Sequence, residues 1–133
     1  MSQNVAIVQK FFDRFAVSFE EMTAAFLDTF AEAGEFIAGT GIPATTGPEA
    51  AAQCLKGFQD GYGLATMQVD MERIGEADGA VWTERTDHLL DADGKEIIAI
   101  PVVGVFVIDE DGRIASWRDY WDIREFEKLA SPS

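Results

Sequence analysis

The hydrophobic period changes once along this 133-residue chain, and that single change limits the fold more than any other feature. Up to about residue 63, apolar residues recur at helical spacing; beyond it they alternate with polar ones. Helical spacing gathers apolar side chains into a stripe, and alternation gathers them on one face of a strand. Val5, Val8, Phe11, Phe12 and Phe15 predict a first helix over Val5–Ala16. Ser18 opens a second, with Glu21 as its capping-box partner. Met22, Ala25, Phe26, Thr29 and Phe30 face inward along it, and Gly34 is expected to stop it. A short extended piece near Phe36 and Ile37 leads into a loop, Ala38–Gly47. A third helix begins at Pro48 with Thr46 or Gly47 as its cap, buries Ala51, Cys54, Leu55 and Phe58, and ends at Gly61-Tyr62-Gly63.

The strands follow. Met67, Val69 and Met71 alternate with polar residues, and Asp78-Gly79 reads as a hairpin turn. Val81–Leu90, Glu96–Ile108 and Ile114–Asp122 read as strands separated by Asp91–Gly94 and Asp109–Gly112, with Pro101 at a bulge or an edge. A last helix is expected over Ile123–Leu129. Helices followed by an antiparallel meander predict the α+β class. The expected architecture is a curved, mixed, mainly antiparallel sheet with three N-terminal helices, forming a cone around a deep pocket. Neither a repeat nor a long linker interrupts residues 1–133, so one domain is expected.

Charge narrows the partners. Ten Lys and Arg against 24 Asp and Glu leave −14, which repels nucleic acid and anionic lipid alike. A small, neutral, hydrophobic substrate is the ligand most compatible with that surface. The lone cysteine, Cys54, rules out an intrachain disulfide and a Cys/His metal cage. With neither a signal-peptide pattern nor a membrane-length apolar run, the expected location is cytoplasmic.

Strand parity selects the candidate chemistry. On Val81–Leu90, the residues Val81, Thr83, Arg85, Asp87 and Leu89 share one face. On the last strand Trp117, Asp119 and Trp121 do the same. If these faces meet, one guanidinium reaches two carboxylates in an apolar setting. Two adjacent carboxylates resist double ionisation, so the pair supplies an acid and a base near neutral pH. Arginine keeps its charge and can hold both. Opening an epoxide uses that combination, one carboxylate drawing a proton from water and the other protonating the leaving oxygen. The plainer alternative is a half-exposed strand salt bridge, worth under about 1 kcal/mol.

Trp82-Thr83-Glu84-Arg85-Thr86-Asp87, the Gly104-Val105-Phe106 strand, and the run from Gly112-Arg113-Ile114 through Trp117-Arg118-Asp119-Tyr120-Trp121-Asp122 resemble the limonene-1,2-epoxide hydrolase family. The resemblance extends over roughly Val5–Leu129 and implies a nuclear-transport-factor-like (cystatin-like) cone. It also implies a homodimer, the absence of any cofactor, and hydrolysis in one concerted step. In that scheme Asp119 is the base that activates water, Asp87 the acid and Arg85 the bridge. Trp117, Trp121, Leu89, Ile37 and Thr40 are the expected substrate contacts. One departure stands out: members of the family hold the water with a tyrosine and an asparagine, where this chain has Ile37 and Gly39. Thr40, Thr45 or Thr46 are the available substitutes.

Two other functions suit the same cone. A polyketide-cyclase-like or ketosteroid-isomerase-like enzyme would use one aspartate beside a carbonyl. A non-catalytic small-molecule-binding dimer would need neither carboxylate. His88 lies on the strand face opposite Asp87 and is read as packing or surface. Cys54, on an apolar helical stripe, is read as core.

Overall fold

The first two helices start by the same device. In the computed structural model, which describes residues 2–130, Ser2 Oγ accepts from the Val5 amide and Ser18 Oγ from the Glu21 amide, each at 3.0 Å. These caps open α1 (Gln3–Asp13) and α2 (Phe19–Thr29), joined by a 3₁₀ turn at Arg14–Ala16. Only half of the expected capping box forms. The Glu21 carboxylate turns to Arg14, accepting from Nε and Nη2 at 3.1 Å each.

Gly34 does not stop α2. The helix ends at Thr29, and Phe30–Ile37 forms strand β1. A Cβ at Gly34 would lie 2.7 Å from the Ile114 carbonyl oxygen, so glycine here permits β1 to approach β6 (Ile114–Tyr120). β1 runs parallel to β6, with Phe36 opposite Trp117, and pairs on its other edge with the short β2 (Thr45–Thr46). The third helix, α3 (Pro48–Tyr62), therefore follows two strands rather than completing an N-terminal trio. Gly47 caps it at φ 92°, and Gly63 ends it at φ 78°, a left-handed conformation that glycine adopts without a Cβ penalty.

The meander is built as the alternation predicts. β3 (Thr66–Ala77), β4 (Ala80–Leu90), β5 (Glu96–Ile108) and β6 give the sheet order β2-β1-β6-β5-β4-β3. Asp78 and Gly79 both take positive φ, the combination required by a tight two-residue hairpin. The next two turns share one design. In Asp91–Lys95 and in Asp109–Arg113, the first aspartate accepts two backbone amides while the glycine sits at φ 78°. Register shifts in β3, β4 and β5 bend the sheet into a curve. Pro101 lies where β5 has β4 on one side only, since β6 pairs with β5 from Val103 onward. The C-terminal segment is a 3₁₀ turn, Ile123–Phe126, followed by α4 (Glu127–Ala130), with Asp122 Oδ1 accepting from the Arg124 amide.

The helices fill the inner face with rings. Phe11, Phe15, Phe26, Phe30 and Phe106 are almost fully buried, and Trp117 stacks on Phe36 and Phe106 at 4.4 and 4.9 Å. Among the described residues, no helix is long and apolar enough to cross a membrane.

Candidate active site

Antiparallel register brings the chemistry together across three strands. Thr83 and Asp119 both align with Gly104, so β4 and β6 present their inward polar side chains on either side of one glycine. Arg85 crosses that gap. Its Nε donates to Asp87 Oδ1 at 2.8 Å, and its Nη2 donates to Asp87 Oδ2 at 3.2 Å and to Asp119 Oδ2 at 2.6 Å. Nη1 donates to Thr83 Oγ1 at 3.0 Å, and the Thr83 hydroxyl donates in turn to the Gly104 carbonyl at 3.2 Å. Trp117 Nε1 donates to Asp119 Oδ1 at 2.6 Å. Arg85, Asp87 and Asp119 are 1%, 5% and 7% exposed, so these bonds form almost wholly out of water. The Arg85 guanidinium also lies 4.6 Å from the centroid of the Phe12 ring.

Gly104 is a position in the candidate site that strand parity alone missed. A Cβ there would lie 2.5 Å from both Arg85 Nη1 and Asp119 Oδ1. The ion triad occupies the space a side chain would take. The residue's place in the quoted Gly-Val-Phe strand was visible, but nothing local in the sequence ties it to Arg85.

The two carboxylates face a cavity of about 70 Å³. Its wall is otherwise apolar, with Phe12, Phe36, Leu89, Ile100 and Trp121 among its members. Trp117, Trp121 and Leu89 thus take the expected places, while Ile37 and Thr40 do not line it. Because Phe36 is opposite the inward Trp117, period-2 alternation points Ile37 the other way, and the lining residues are its neighbours Phe36 and Ala38. Thr40 is exposed. Gly39 packs against Trp121, whose indole N–H donates to the Ala38 carbonyl at 2.7 Å rather than to Asp119. Cys54 also reaches the cavity wall, and burial raises its thiol pKa. His88 sits on the outer face between Asp70 and Glu96, whose bonds raise its pKa.

Electrostatics single out Asp119. Burial raises the Asp119 pKa and the Asp87 charge adds to it, while Arg85 and the Trp117 N–H oppose them; the balance falls at about 6. Burial also works against the Arg85 charge, but Asp119 and Asp87 outweigh it and hold arginine firmly protonated. At neutral pH Asp119 is ionised yet more basic than an ordinary carboxylate.

The model of the limonene-1,2-epoxide hydrolase catalytic domain matches residues 2–130. The chain belongs to the limonene-1,2-epoxide hydrolase family. It is 44% identical over 66 residues to epoxide hydrolase EphG of Mycobacterium tuberculosis, a stretch covering 50% of this chain and 42% of that relative's length. A solved limonene-1,2-epoxide-hydrolase-like epoxide hydrolase from Mycobacterium tuberculosis superposes with a TM-score of 0.71 at 28% identity, covering 94% of this chain and 82% of the other. A SnoaL-like protein of the polyketide-cyclase type from Shewanella denitrificans OS-217 shares the fold at a TM-score of 0.78 and 17% identity, over 99% of this chain and 100% of its own. Family membership and the nuclear-transport-factor-like fold therefore agree with the motifs quoted from β4 and β6.

Proposed function

We propose that this chain hydrolyses a small, mainly hydrophobic epoxide to a vicinal diol in one step. The observation that carries this reading is the Arg85 guanidinium bonded to two buried carboxylates on the wall of an apolar cavity. In the reactive form the carboxylate pair holds one proton, on Asp87. Asp119 accepts a proton from water as its oxygen attacks one epoxide carbon. The C–O bond breaks, and Asp87 protonates the departing oxygen. Arg85 keeps both acids in register and offsets the negative charge that they share. The epoxide hydrolases among its relatives support an epoxide as substrate, and the mainly apolar wall around the two carboxylates supports a hydrophobic one.

Turnover of an aryl or alkyl epoxide in water enriched in oxygen-18 tests the reaction. One heavy oxygen per diol is expected. Proton transfer beside a carbonyl, the reading suggested by the SnoaL-like neighbours, places none in its product. The pH profile tests the roles. With Asp119 as base, kcat/KM climbs as pH rises through about 6, where the carboxylate loses its proton. A decline through the same pH would make Asp119 the acid and reverse the assignment.

A homodimer is part of the same proposal. Trp82, Val103 and Tyr120 are 45%, 43% and 48% exposed on the outer face of adjoining strands, an apolar patch suited to a second copy. Light scattering should give twice the 14.6 kDa chain mass, falling to one chain in Tyr120→Glu. A monomeric wild type would remove the dimer.

A further inference from the structure

Trp117 forms part of the cavity wall, but its polar atom is committed elsewhere. Only two carboxylates, one thiol and two indole N–H groups could offer hydrogen bonds among the lining side chains. Both indoles are already engaged, Trp121 by the Ala38 carbonyl and Trp117 by Asp119 Oδ1. Cys54 is a weak donor whose sulfur lies 3.9 Å from the Ala50 carbonyl on its own helix. The position of an attacking water is then governed by the orientation of the carboxylate that accepts its proton.

An aspartate's terminal torsion is broad, and one hydrogen bond leaves the carboxylate plane free to turn. Asp119 carries two donors on two different oxygens. Arg85 Nη2 holds Oδ2 and Trp117 Nε1 holds Oδ1, both at 2.6 Å. Trp117 can serve as a fixed point because its indole is clamped. Phe36 and Phe106 stack on it at interplanar angles of 29° and 20°, and Phe11 and Phe12 meet it edge-on at 5.4 and 5.6 Å. It is 3% exposed, and its strand neighbour two positions on is Asp119 itself.

From this geometry we infer that Trp117 is a positioning residue: its indole N–H locks the Asp119 carboxylate so that the free lone pairs face water in the cavity. The inference rests on the proposed hydrolysis for its consequence, but the lock is a property of the folded chain. It gives Trp117 a role beyond the apolar substrate contact expected from sequence.

Trp117→Phe keeps an aromatic wall and removes the donor. Replacing the indole N–H by sulfur, with benzothienylalanine at position 117, keeps shape more closely and serves if the phenylalanine variant unfolds. In either variant kcat is expected to fall about ten- to a hundredfold with KM little changed, since base orientation and not substrate contact is lost. The ascending limb of the pH profile is expected to move to higher pH, because the bond that favours the ionised acid is gone. A carbon-13 carboxyl titration of Asp119 should show the same upward move without any substrate. A wild type that forms no diol would overturn the hydrolase reading alone, because the carboxyl titration still reads the lock. An unmoved Asp119 titration, or an unchanged kcat and pH limb in a wild type that does turn over, would overturn the role of Trp117.

Discussion

Asp119→Asn lowers kcat/KM for epoxide hydrolysis about 10²–10⁴-fold, the range that a positioned general base contributes. The variant nevertheless folds. Burial is the main reason the Asp119 pKa rises to about 6, so its charge is held in the folded protein at a cost. An amide at position 119 removes that charge and leaves Arg85 bonded to Asp87, 2.8 Å away. Relief of that charge offsets the loss of one acceptor, since the amide cannot accept from both Arg85 and Trp117. Thermal stability at neutral pH should therefore stay near wild type. The linkage sign is definite. Asp119 binds its proton more tightly folded than unfolded, so the stability that this group contributes is full below the unfolded value near 3.8 and is lost as pH climbs from there through about 6. Asp119→Asn should flatten that decline. Asp87→Asn should cost a similar factor in rate by removing the proton donor. Retained diol formation in either folded variant would take that residue out of the mechanism.

Arg85→Leu has the largest expected effect on stability. Its side chain has no exposed surface, and removing it leaves two carboxylates 7% and 9% exposed without a counter-ion. Breaking a buried ion pair from one side costs about 3–5 kcal/mol, a large part of the stability of a domain this size. The Thr83 hydroxyl and the Phe12 face also lose their partner. Urea denaturation at pH 7 measures the loss directly. The deficit should shrink as pH falls, because without Arg85 to lower its pKa Asp119 takes up a proton more readily and its share of the uncompensated charge is removed. An Arg85→Leu midpoint equal to wild type at pH 7 would mean the triad does not hold the sheet as described.

Much of this site could be read from the chain because strand alternation is a local property. Each residue turns its side chain opposite to the one before, so Thr83, Arg85 and Asp87 share a face wherever β4 lies, as do Trp117 and Asp119 on β6. The same holds for the turns: Asp78-Gly79 and the two Asp-x-Asp-Gly loops bend through backbone conformations that their own residues favour. The period change likewise separated helix from strand over most of the length. Where it failed, at residues 30–35 ahead of the expected extended piece near Phe36 and Ile37, tertiary pairing overrode a pattern that also suits a helix end.

What the tertiary structure alone decided depends on contacts between distant segments. Whether Phe36 or Ile37 faces the cavity follows from the parallel register of β1 against β6, and a shift of one residue would exchange them. Gly104 matters because two strands bring Arg85 and Asp119 to the space beside its Cα. The partners of the two indoles, Asp119 for Trp117 and the Ala38 carbonyl for Trp121, were likewise open until the loop and strand packed. Sequence set which side chains could share a face; the approach of separate strands and loops set which atoms meet, because hydrogen bonds act over about 3 Å and alternation carries no information about distance between segments.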